Sequence, residues 1–197
     1  MHYIRINFIA KEQDVNHLAG KCIRILHGVY HRQKINNIAI AFPEWSCSSP
    51  GDSIVFVSPD KDSLQILAEQ NYYLKMQELG YFNISNVRQS PSDSDYCLFI
   101  RNQRIEKYSP SGLKRILHRS KKRAESRGEI YRPIHQSIDV NWGDVHLIPI
   151  SSGSSNQEFK LYIERLPKTA QPGDNQIATS YGLSNQSSKQ FYVPLSF

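Results

Sequence analysis

The order in which two hydrophobic periods alternate along the first 88 residues constrains the fold most. Ile4, Ile6 and Phe8 fall on one side of an extended chain and Arg5 and Asn7 on the other, which predicts a strand. From Asp14, a suitable N-cap, the apolar residues Val15, Leu18, Cys22, Ile25, Leu26 and Val29 recur at helical spacing and predict a helix ending near residues 31–34. Alternation returns at residues 37–42, where Ile38, Ile40 and Phe42 share a face, and residues 54–57 form an apolar run rich in β-branched side chains. Asp60 or Asp62 can cap a helix carrying Leu64, Leu67 and Ala68, with helical pattern continuing through Leu74 and Leu79 to a stop at Gly80. Residues 81–87 then read as a strand.

The resulting order, β-α-β-β-α-β, is the ferredoxin-like pattern that RNA recognition motifs also use. A fold of this kind does not by itself establish RNA binding. The segment RQSPSDSD at residues 88–95 is rich in Ser, Pro and Asp, which places a domain boundary there. Beyond it come a strand-like CLFIR and a helix over residues 110–126. Ser109 serves that helix as N-cap, Pro110 as first residue and Gly128 as stop. Candidate strands follow at 145–150 and 158–163, and the tail closes with residues 191–193 and Phe197. The expectation is an α+β protein with a ferredoxin-like (RRM-like) domain over 1–90 and a smaller α+β domain over 91–197 that carries a basic helix. A chain of 197 residues with 39% hydrophobic and 21% charged side chains can fold into two such modest cores.

Charge is distributed very unevenly. The formal net charge is +6, yet residues 101–132 hold eleven Lys and Arg against three Glu, so the remainder of the chain is slightly acidic. Concentration of this kind points to a phosphate-rich partner. Within 110–126, Leu113, Ile116, Leu117, Ser120 and Ala124 form one narrow stripe for docking, while Lys114, Arg115, His118, Arg119, Lys121 and Lys122 occupy the rest. These cations repel one another unless an anion joins them, and the competing reading is a solvated cationic face. Charge alone does not choose between an RNA stem and a DNA groove.

Other classes are less compatible. No window approaches the roughly 18 consecutive apolar residues of a membrane span, and the start MHYIRINFIAKEQD lacks the layout of a signal peptide, so a cytoplasmic protein with no membrane partner is expected. Cys22, Cys47 and Cys97 are odd in number, far apart and without ligand-like spacing, and read as buried thiols.

For chemistry, His27 and His31 are one helical turn apart, but the intervening GVY lacks a metalloprotease glutamate and no third ligand lies nearby, so neither metal nor cofactor is expected. On spacing alone His27 reads more readily as a structural or merely exposed histidine than as a catalytic one. The small-residue run Ser151, Ser152, Gly153, Ser154, Ser155 and Asn156 lets a backbone approach a ribose closely, or is a plain hairpin loop. Tyr181 in SYGLS reads as a corner tyrosine. RNA strand cleavage, however, needs only a base to take the 2′-hydroxyl proton and donors to assist the leaving oxygen.

Four stretches carry a family resemblance: LHGVYHRQKINNIAIAFP, IRNQR at the entry to the basic helix, SGSSNQEFKLYI, and SYGLS followed by FYVP. Over its whole length the chain resembles the CRISPR pre-crRNA-processing endoribonuclease of type I-F systems, the Csy-type repeat endonuclease. KCIRI before LHG, and KRAESRGE after the basic helix, resemble the branch associated with Tn7-like transposons. The resemblance implies a metal-independent enzyme that cleaves the repeat hairpin of precursor crRNA and leaves a 2′,3′-cyclic phosphate. It implies that His27 is the general base, that Ser152 holds the ribose and that Tyr181 orients His27. It further implies that Arg101 and Gln103 read bases, that Phe159 stacks on a nucleotide beside the cut, and that Ser154, Lys114, Arg115, His118, Arg119 and Lys122 contact RNA. The partners implied are the 3′ stem-loop of the guide, the backbone subunit of the type I-F surveillance complex and, for the transposon branch, a transposition-targeting protein.

The chain departs from the family's arginine-dense helix at Lys114 and His118, where charge is kept without the bidentate fork or is lost at neutral pH. Which serine of 151–155 acts is open on spacing, although counting seven residues back from Phe159 favours Ser152. Two other functions fit the residues alone: a non-catalytic RNA-hairpin-binding subunit with an inert His27, and a basic DNA-binding regulator.

Overall fold

The computed structural model describes residues 1–9, 14–91, 95–133, 144–151, 158–168, 176–185 and 188–197. By internal contacts the chain divides into two compact units, Met1–Arg101 with Asp144–Phe197, and Asn102–Gly143. The expected boundary at 88–95 falls inside the first unit. Among the described residues no helix is long and apolar enough to cross a membrane.

The first unit begins with β1 (His2–Phe8), α1 (Val15–Gln33), β2 (Ala39–Ala41) and β3 (Ser53–Ser58). It continues with α2 (Lys61–Ala68), α3 (Asn71–Glu78), β4 (Phe82–Ile84) and β5 (Arg88–Gln89). The strands form an antiparallel sheet in the order β2-β3-β1-β4, with β5 also pairing β1. That is the ferredoxin-like order, and the fold is α+β. Asp14 caps α1 by accepting from the backbone N–H groups of Asn16 and His17, and Lys34 closes the helix in a left-handed conformation. β3 is buried along its whole length because it is central in the sheet.

The single helix expected between residues 60 and 80 is two. Successive residues turn by about 100°, so a continuous helix would place Tyr73, nine residues after Leu64, on the opposite face. Leu64, Leu67 and Tyr73 are all fully buried, and a break after Ala68 makes that possible. Gln70, in extended conformation, supports the break by donating from Nε2 to the Ile66 carbonyl. Tyr73 then donates its hydroxyl to the Cys22 carbonyl of α1 at 3.0 Å.

A second antiparallel sheet holds β6 (Tyr96–Arg101), β7 (Val145–Ser151), β8 (Glu158–Lys168) and β9 (Val193–Pro194) in the order β7-β8-β6-β9. Apolar side chains of both sheets and of α1 join one core. Gly20 lets α1 and β7 approach this closely, since a Cβ there would collide with the Pro149 carbonyl. Cys22 and Cys97 are buried as expected, and burial pushes the Cys97 thiol up to about 12. Cys47 is exposed instead, because it sits in a polar turn closed by the Ser46 N–H donating to the Ser49 carbonyl.

The second unit contains α4 (Gln103–Tyr108) and α5 (Pro110–Ser126). α5 has the expected bounds: Ser109 Oγ accepts from the Gly112 N–H, Pro110 occupies the first turn, and Gly128 follows with φ +68°. α4 was not expected. Asn102 starts it by accepting from the Ile105 N–H.

Candidate active site

α1 and the turn before Leu183 bring two rings together. His27 and Tyr181 stack face to face, with centroids 4.4 Å apart and planes 4° apart. The turn is fixed by the Gly182 N–H donating to the Thr179 carbonyl and the Thr179 N–H donating to the Leu183 carbonyl. The Gly182 carbonyl accepts from the Ile40 N–H of β2 at 2.9 Å. Gly182 has φ +72°, and a Cβ there would lie 2.6 Å from Leu26 and 2.8 Å from Ile40, so no other residue fits between helix and strand. Its absence of a side chain is what brings Tyr181 onto the residue after Leu26.

Phe159, at the start of β8, meets Tyr181 edge-on at 6.2 Å, and His31 meets His27 edge-on at 4.4 Å. These side chains line a cleft of about 570 Å³ together with Arg24, Ile150 and Ser151. Arg24 Nη1 donates to Ser151 Oγ at 3.2 Å. Ser151 and Ile150 face Glu158 and Phe159 across the β7–β8 pair.

The imidazole of His27 is held below its ordinary pKa, first by burial, then by repulsion from His31, with the nearby Ser180 backbone acting in the opposite direction. Its Nδ1 is shielded from water and makes no hydrogen bond among the described residues. At neutral pH this histidine is therefore neutral and able to accept a proton. Among the described residues no group of three His, Cys, Asp or Glu side chains is gathered in a metal-ligand arrangement.

The model of one family, described as CRISPR-associated protein (Cas_Csy4), matches residues 3–192. The chain belongs to this family. No curated relative matches it. This Csy4-family protein is accordingly a CRISPR repeat-processing endoribonuclease and binds CRISPR repeat RNA.

Of the site residues expected from sequence in the Csy4-family chain, the first unit brings His27, Tyr181 and Phe159 into one cleft. Arg101 ends β6, half-buried, with its N–H donating to the Ser184 carbonyl at 3.3 Å. Ser152 and Ser154 lie outside the described residues. In the second unit, Gln103 begins α4 in an exposed position, and Lys114, Arg115, His118, Arg119 and Lys122 are exposed along α5. The stripe meant for docking is open at Leu113, Ile116 and Leu117, each 40–44% exposed, while Ala124 is buried. Arg24 in the cleft was not singled out from sequence, while His31 was weighed there only as a metal ligand and Ser151 only as one of several candidate serines. Arg24 precedes His27 by three residues on one helix and so shares its face, which is a signal available in the sequence.

Proposed function

We propose that this protein cuts the repeat hairpin without a metal, by attack of a 2′-hydroxyl on the adjacent phosphate. His27 takes the 2′-hydroxyl proton, a bond forms between the 2′-oxygen and phosphorus, and the bond from phosphorus to the 5′-oxygen breaks. The 5′-oxygen leaves with a proton from solvent, and a 2′,3′-cyclic phosphate remains. Tyr181 orients the imidazole by stacking, Ser152 holds the ribose, and Phe159 stacks on a nucleotide beside the cut.

The observation that carries this reading is the neutral, half-buried His27 stacked on Tyr181 inside a cleft wide enough for a nucleotide. Two further features support it. Ser151, which immediately precedes Ser152, lines that cleft, and α5 exposes a row of cations suited to the phosphates of a stem. Lys114, Arg115, His118, Arg119 and Lys122 contact that backbone, Ser154 contacts the strand near the cut, and Arg101 and Gln103 read bases at the foot of the hairpin. After cleavage the protein keeps the 3′ stem-loop and remains, in the cytoplasm, a subunit of the type I-F effector complex beside its backbone subunit. The KCIRI and KRAESRGE segments favour the branch in which that complex guides transposition through a targeting protein.

The test is single-turnover cleavage of the host repeat hairpin in EDTA by the parent and by His27→Ala. The parent is expected to produce a shortened RNA ending in a cyclic phosphate, and the variant to bind without cutting. Equal cutting by both would overturn the assignment, and binding without cutting by the parent would favour a non-catalytic hairpin-binding subunit.

A further inference from the structure

Arg24 has no part in the reaction just described, yet it is the permanent cation in the first two turns before His27 that lines the same cleft. It is half-buried, and the Ser151 hydroxyl accepts from Nη1 at 3.2 Å. A guanidinium has five N–H donors in a fixed fork, so one hydroxyl anchors it without exhausting it. Arg32, another cation of the cleft, is exposed and donates to Gln70 Oε1 at 2.9 Å, which draws it toward the junction of α2 and α3. Attack by a 2′-oxygen adds negative charge to the two non-bridging oxygens of the phosphate, and donors preorganised at that position stabilise the transition state more than the ground state.

We propose that Arg24 is a further catalytic residue, anchored by Ser151 and donating hydrogen bonds to the non-bridging oxygens of the scissile phosphate. No proton is transferred by it, and the bonds made and broken are those already given. The inference rests on cleavage at His27 and adds to it a role for a side chain that base chemistry alone does not require. It also gives the Ser151 hydroxyl a purpose distinct from that of its neighbour Ser152: Ser151 positions the guanidinium.

Single-turnover cleavage with saturating protein tests it in Arg24→Ala and Arg24→Lys, with thermal unfolding and hairpin binding measured alongside. Arg24→Ala is expected to slow cleavage by about 10²-fold or more, the usual cost of one such donor. Hairpin binding is expected to weaken by less than about tenfold, because one phosphate contact among several is lost. Arg24→Lys keeps the charge without the fork and should recover part of the rate. Replacing each non-bridging oxygen in turn by sulfur gives a readout that a structural role would not move. The parent should prefer one isomer, and that preference should vanish in Arg24→Ala. Cleavage at the parent rate by Arg24→Ala, or an unchanged isomer preference, overturns the inference while leaving an inactive His27→Ala as support for the cleavage reading. If His27→Ala also cuts at the parent rate, the cleavage reading itself has failed.

Discussion

The rings of His27 and Tyr181 are parallel to within 4° at 4.4 Å, although their residues are 154 positions apart in sequence. A stacked aromatic pair contributes about 0.5–1.5 kcal/mol beyond the area it buries, and its loss frees the imidazole to rotate. Tyr181→Ala should therefore slow cleavage by about tenfold, since each 1.36 kcal/mol is one decade of rate. Tyr181→Phe keeps the ring and should remain within about threefold of the parent. An equal loss in both, in single-turnover assays, would assign the role to the hydroxyl rather than to the ring.

Burial and His31 lower the pKa of His27, so its base form persists to lower pH than in a free imidazole. The cleavage rate should rise with pH and reach its plateau with a midpoint below 6.5, the ordinary histidine value. His31→Gln removes one of the two depressing effects and should move that midpoint upward. The same shift has a consequence for stability: the unfolded chain binds a proton at His27 more readily than the folded one, so this residue favours unfolding as pH falls below about 6.5. Rate–pH profiles and denaturant unfolding between pH 5 and pH 8 check both.

Local pattern made β1, α1, β2 and β3 legible: alternation for β1 and β2, helical spacing for α1, and a β-branched apolar run for β3, which is buried along its whole length. The break between α2 and α3 was not legible in that way. It exists so that Tyr73 can reach the Cys22 carbonyl, a partner 51 residues away. α4 was missed because six residues are too few to show a period, and its start depends on the Asn102 side chain. Cys47 was misread because burial follows from its turn and not from its type. In the site, residue types and the helical position of His27 were readable. The approach of Tyr181 depends on a left-handed glycine wedged between Leu26 and Ile40, which is a tertiary fact.

Gly182 is the residue on which that approach turns. An alanine there must adopt φ +72° and place a methyl group 2.6 Å from Leu26 Cδ2 and 2.8 Å from Ile40 Cγ2. Backbone strain costs about 1–3 kcal/mol, and overpacking adds a similar amount. Gly182→Ala should lower the denaturant midpoint accordingly and slow cleavage beyond what Tyr181→Phe does, because the whole turn must move away from α1. Unchanged stability would mean that the turn relaxes freely and that Tyr181 is not held by it.

The cations of α5 make a separate, quantitative claim. Lys121 has a partner on its own helix, Glu125 at 3.9 Å, so its charge is partly spent within the protein. Lys122, its neighbour, is exposed and is assigned to a phosphate of the stem. Each phosphate contact releases close to one counterion, so the logarithm of the hairpin affinity should fall steeply and linearly with the logarithm of salt concentration. Lys122→Ala should make that slope shallower by about one unit, with little effect on which hairpin sequence is preferred, because phosphate contacts position and do not specify. Lys121→Ala should change the slope less than Lys122→Ala does. Binding titrations across a salt series separate the two, and an unchanged slope for Lys122→Ala removes that residue from the contact face.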